Sequence, residues 1–226
     1  MPNDGRVHQR VIASFVERGR PPSLSELADE LAAPADAVAD ALHRLEAEHG
    51  VVLHPGSTDV WIAHPFSASP TGVWVKGEAR GWWAPCMWCA LGVAVLAAPE
   101  ATIHARHGGE AEPAVFTVEA ATRISPAAVV HFPIPVRRAW DNVVHWCATV
   151  QPFRAAEDAA AWSARHGLAP GDAVPIDRVL ALARVWYGRH LDPAWRKWTI
   201  EEARAMFAGA GLTSPIWDLP SASGRF

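Results

Sequence analysis

The chain has 226 residues, half of them apolar, with 20 Lys and Arg against 24 Asp and Glu for a formal charge of −4. That length suits one large domain or two small ones around a real core, and the mild acidic balance provides no basic block to hold nucleic acid or an anionic membrane. The opening Met1-Pro2-Asn3-Asp4-Gly5-Arg6 lacks the apolar stretch of a signal peptide, and no apolar run approaches transmembrane length, so the expected setting is the cytoplasm, with reduced thiols and no membrane partner.

From Val7 to Val16 the apolar groups fall at helical spacing, which predicts a helix over 7–20 that ends at Gly19 and Pro21. Ser23, followed three residues later by Glu26, is a capping box that opens a second short helix. Pro34 starts a third, with Val38, Ala41, Leu42 and Leu45 on one face and Gly50 as its stop. Val51–His54 and Val60–Ile62 flank a Pro-Gly-Ser-Thr-Asp turn and read as a hairpin. Three helices and a hairpin make a winged-helix-like module over residues 1–66. Its third helix carries Asp36, Asp40, Glu46 and Glu48 against Arg44, a face that repels phosphate. A structural or dimerising role is expected there, with no nucleic-acid partner.

Ser67–Gly72 reads as a linker into a second unit, 67–226. Strand-like runs at 73–75, 101–105, 114–119, 128–132 and 143–150 are followed by helices near 156–166, 175–187 and 200–208. The last helix is opened by the capping box Thr199/Glu202. The pattern is α+β, a mixed sheet with flanking helices. Aromatic residues beyond Arg184 either pack that helix onto the sheet or close over a pocket. Gly108-Gly109 reads as a hairpin turn, His104 and His107 face opposite sides, and no phosphate-loop, dinucleotide or serine-hydrolase fingerprint is present.

The chemistry sits in three cysteines. Cys86 and Cys89 follow an aromatic run, Gly81-Trp82-Trp83-Ala84-Pro85, at the start of a predicted helix from Cys86 to Ala98, with Pro85 suited to its first turn. There the unpaired N–H groups and the helix dipole favour a thiolate. Cys147 falls in the predicted strand 143–150, and His145, two residues earlier, would share its side of the sheet. A meeting of strand and helix would gather Cys86, Cys89, Cys147 and His145 around one point. Such a set suits zinc, another soft metal or reactive thiols, and a single Cys86–Cys89 bridge also fits the spacing. Twelve tryptophans accompany one tyrosine. Packing is the ordinary work of an indole, but Trp88 and Trp146 are placed to wall a thiol pocket.

These segments resemble the alkylmercury lyases. Trp88-Cys89-Ala90-Leu91 is similar to the family's Trp-Cys-Ala-Leu, and the context of Cys147 resembles that of its second cysteine. Ala114–Val118 through Pro126, Val129–Pro133, Glu157-Asp158 and Trp162–His166 follow in the family's order, and the likeness runs over about residues 5–190. The resemblance implies that Cys89 and Cys147 are the catalytic thiols and bind mercury, as substrate or product ion, with no cofactor required. It implies small-molecule organometal substrates, with Cys86 and His145 as auxiliaries and Trp88 and Trp146 in the pocket. It also implies an aspartate three residues after the first thiol, where this chain has Gly92. The resemblance therefore implies that Gly92→Asp should raise turnover, and helix propensity alone suggests that the change should cost no stability.

Overall fold

In the computed structural model, which describes residues 2–219, the chain opens with helices α1 (Asp4–Arg18), α2 (Leu24–Leu31) and α3 (Ala35–Ala47). Both ends of α1 and the start of α2 have a local cause. The Asn3 side chain caps α1 by accepting from the Arg6 N–H, and Gly19 ends the helix in the left-handed region. Ser23 and Glu26 form the expected capping box on α2. Val7, Val11, Ile12 and Phe15 of α1 are buried with Val38, Leu42 and Leu45 of α3.

The chain then builds β1 (Val52–Leu53), β2 (Val60–Ala63), β3 (Phe66–Ser67), β4 (Val73–Lys76) and β5 (Gly81–Ala84). After helix α4 (Met87–Ala97) come β6 (Ala101–Arg106), β7 (Pro113–Glu119) and β8 (Arg123–Ser125). All eight strands form one antiparallel sheet in the order β1-β2-β3-β5-β4-β6-β7-β8. Ser67, expected to begin a linker, pairs with Ile62 on one side and Trp83 on the other. The sheet therefore runs unbroken across the division placed at residues 66 and 67.

Beyond it lie β9 (Val129–Phe132), a 3₁₀ segment Val136–Asp141, helix α5 (Val143–Thr149), β10 (Gln151–Phe153) and helix α6 (Ala156–Arg165). Strand β11 (Asp172–Pro175) and helices α7 (Ile176–Tyr187) and α8 (Ile200–Gly209) follow. A second antiparallel sheet has the order β10-β9-β11. The architecture is the expected α+β, with one correction that matters for the site. Residues 143–149 are helical, not extended. The β-branched Val143, Val144 and Thr149 suggest a strand, but the Asn142 side chain accepts from the His145 N–H and caps a helical turn instead. Pairing with β9 starts only at Gln151.

Helix α4 is apolar all round, and the eight residues Met87–Ala94 are buried, as expected of a helix enclosed on every side. The first sheet, α5 and α7 surround it. The segment joining α7 to α8 returns against α1, where Gly5 makes the approach: a Cβ there would strike the Trp195 carbonyl oxygen and lie 3.3 Å from that of Pro193. Gly5→Ala should therefore lower stability by about 1–3 kcal/mol, the usual cost of overpacking. Urea unfolding checks this, and an unchanged midpoint would show that the contact yields freely.

Candidate functional site

Strand β5 delivers the chain to α4 through Pro85, which lies just outside the helix, and Cys86, which is its N-cap. Cys86 has extended backbone angles, and its Sγ accepts the Cys89 N–H at 3.4 Å. A thiol thus does the work that Ser or Asp does at most helix starts. The Met87 N–H donates to the Val150 carbonyl at 3.3 Å, and the Val150 N–H to the Cys147 carbonyl at 3.0 Å. These bonds fasten the end of α5 to the first turn of α4 and bring Cys147 to the other two thiols. All three cysteines are buried and free, so the spacing of Cys86 and Cys89 does not produce a bridge.

Two further side chains touch the thiols. The Cys89 Sγ lies 3.5 Å from the Tyr187 hydroxyl, and the Cys147 Sγ 3.6 Å from Nε2 of His64. The ligand atoms of His64, Cys89 and Cys147 all fall within 4.8 Å of one another. His145 does not join them: on a helix, two residues are about 200° apart, so His145 is exposed while Cys147 points inward.

The three thiols share their charge. Burial opposes a thiolate at Cys86, but hydrogen bonds from Cys147, from Cys89 and from the Cys89 and Trp88 N–H groups outweigh it and hold this thiol well below the ordinary range. Cys89 is pushed up by burial and by its neighbour Cys86. Cys147 is pushed up by its hydrogen bonds to Cys86 and Cys89, and by burial. The state these shifts favour is one thiolate and two thiols, with the negative charge at the helix N-terminus where the dipole favours it.

Around this charge the pocket is aromatic. Trp88, Trp140, Trp146, Trp186, Trp195 and Trp198 line it, with no Asp or Glu among its lining residues. Trp88 and Trp146, the two tryptophans the sequence singles out, are among these lining residues, and the C-terminal aromatics form a roof over the pocket as well as packing α7 and α8. Burial, and to a lesser extent Lys197, lowers the pKa of both His64 and His190 to about 3. The His190 Nδ1–H donates to the His64 carbonyl at 3.1 Å. His8 of α1 is fully buried and stacks on Trp195 with ring centroids 3.4 Å apart. His64, Tyr187, His190 and Lys197 carry no motif of their own. Tyr187 alone had a signal, as the one tyrosine of the chain.

Gly92 is where expectation and geometry part. A Cβ there would overlap the Tyr187 ring and lie 2.9 Å from Cβ of Pro65. The glycine makes room for Tyr187, and Gly92→Asp cannot be the costless change that helix propensity suggests.

The neutral imidazoles predict a pH dependence. A histidine of the unfolded chain titrates near 6.5, while His64 and His190 do so at about 3 in the fold. Between those values the unfolded chain binds more protons, so the stability held above pH 6.5 is lost as pH falls toward 3. The urea midpoint should decline measurably from pH 7 to about 5, before most carboxylates titrate. A flat midpoint over that range would contradict buried neutral imidazoles.

Comparison with known proteins places the chain in a family and a fold. The model of the family described as "MerB: Alkylmercury lyase" matches residues 66–188. A solved structure titled "Crystal structure of the mercury-bound form of MerB2" superposes with a TM-score of 0.67 at 18% identity, covering 84% of this chain and 93% of that one. At that identity it shows a shared fold. No curated protein matches the sequence. The matched segment is more than half of the chain and holds all three thiols, and the chain belongs to the alkylmercury lyase family.

Proposed function

We infer that the protein cleaves the carbon–mercury bond of organomercurials, with Cys89 and Cys147 as the two sulfurs that take the metal. The observation that carries this reading is the buried meeting of the two thiols with His64, within 4.8 Å, in a pocket that presents no carboxylate. Thiolates are the preferred ligands of soft cations, and buried indoles suit an apolar organic group.

The steps follow from the protonation pattern. Cys86 holds the resting negative charge. When R–Hg–X enters, the Cys147 proton passes to Cys86, the Cys147 sulfur bonds mercury, and X leaves as an anion. Cys89 then bonds the metal and gives up its proton, while the electron pair of the C–Hg bond takes a proton to form R–H. Mercury is left on two sulfurs, and no oxidant or reductant is consumed. Tyr187 supplies the path for that proton, since its hydroxyl adjoins Cys89 and lines the pocket. A neutral hydroxyl can donate to carbon and accept from sulfur in one motion. His64, held neutral beside Cys147, orients that thiol.

Cys147→Ser should weaken Hg²⁺ binding by orders of magnitude, and parent-like affinity would remove Cys147 from the pair. Tyr187→Phe should keep Hg²⁺ binding but lower turnover of phenylmercury by about 10²–10⁴-fold, the usual worth of a positioned proton donor. Unchanged turnover would take Tyr187 out of the proton path. Gly92→Asp should lose both stability and turnover because it displaces the Tyr187 ring. A gain in turnover would show that Tyr187 can move aside.

A further inference from the structure

Lys197 is a cation with no counter-ion among the described residues. It is half-buried at the pocket, and among the described residues it makes no ion pair. Its Nζ donates to the His49 carbonyl at 3.2 Å and lies 4.5 Å from the centre of the Trp140 ring. No Asp or Glu lines the pocket to balance it. Burial alone lowers this ammonium from the usual 10.5 to about 7, because the surrounding aromatic side chains support its charge less well than water does. Nothing in the proposed cleavage uses it.

Its position relative to the thiols is set by a row of contacts. Cys147 touches His64 at 3.6 Å, and the His64 ring meets Trp140 edge-on at 5.7 Å. Trp140 in turn carries Lys197 on its face. A molecule reaching from the thiols toward Lys197 therefore crosses an aromatic wall. The chemistry along that path is sulfur, then indole, then an unpaired ammonium, which corresponds to a soft metal, a ring and an anion.

We propose that this pocket selects arylmercurials whose ring carries an acidic group, a carboxylate or sulfonate, with Lys197 as the specificity-determining contact. This rests on the lyase reading above. The anion would supply the missing counter-charge and restore the protonated lysine. A charge-assisted hydrogen bond in a place partly shielded from water is the kind that discriminates between substrates, because the competitor lacking it leaves the buried cation unpaired.

The test compares 4-mercuribenzoate with phenylmercury on the native protein, Lys197→Met and Lys197→Arg. Native protein should favour the benzoate, and Lys197→Met should raise its KM by about 10- to 100-fold, the worth of one such bond, with phenylmercury unchanged. Lys197→Arg should retain the preference. Equal effects of Lys197→Met on both substrates, or none on either, would overturn the proposal. If native protein cleaves neither, the lyase reading fails. Lys197 is then judged by titrating both mercurials against the tryptophan fluorescence: an affinity loss confined to the benzoate in Lys197→Met supports it, and equal affinities overturn it.

Discussion

The bond from the Cys89 N–H to the Cys86 sulfur is the contact on which the site depends. It makes a thiol the N-cap of a buried helix, where the N–H groups and the dipole favour a negative sulfur while burial resists any charge. That conflict is resolved by sharing. Cys86 is held below the ordinary range while Cys89 and Cys147 are pushed above it, which favours one thiolate toward which the two remaining thiols donate. A helix whose first turn was exposed would gain little from the arrangement, because water would satisfy the same N–H groups. Here Met87–Ala94 are buried, and the sulfur is the available acceptor.

The elements around the thiols bury all three sulfurs and line the pocket beside them with aromatic side chains. Helix α5 is fastened to α4 through Val150, and α7 lays Tyr187 over Gly92. The segment between α7 and α8 roofs the pocket with Trp195, Lys197 and Trp198, and α1 holds that roof through Gly5 and His8. The N-terminal helices thus support the pocket, and the first sheet, running unbroken from β1 to β8, ties them to α4. His64, at the end of the hairpin region, is where this framework reaches the chemistry directly.

Much of this was legible in the sequence because it is local. The capping boxes at Ser23 and Thr199, the apolar faces of α1 and α3, and the start of α4 near Cys86 depend on residues three or four apart. The error at residues 143–149 is also local: β-branched residues outweighed Asn142, whose capping role shows only when its side chain is placed. That one misreading carried His145 into the site, since alternate residues share a strand face but not a helix face. His64, Tyr187 and Lys197 belong to distant segments that meet only through tertiary packing. Gly92 shows the same limit. Its helix propensity is visible in the sequence, whereas the aromatic ring that occupies its missing side chain is not.

Thiolate absorbance followed against pH tests most directly whether three buried thiols hold one negative charge at the start of α4. The account predicts that one thiol of the native protein ionises well below the ordinary cysteine range while the other two resist ionisation above it, and that Cys86→Ser abolishes the low-pH component. Three thiols titrating together in the ordinary range, or a low-pH component that persists in Cys86→Ser, would contradict it.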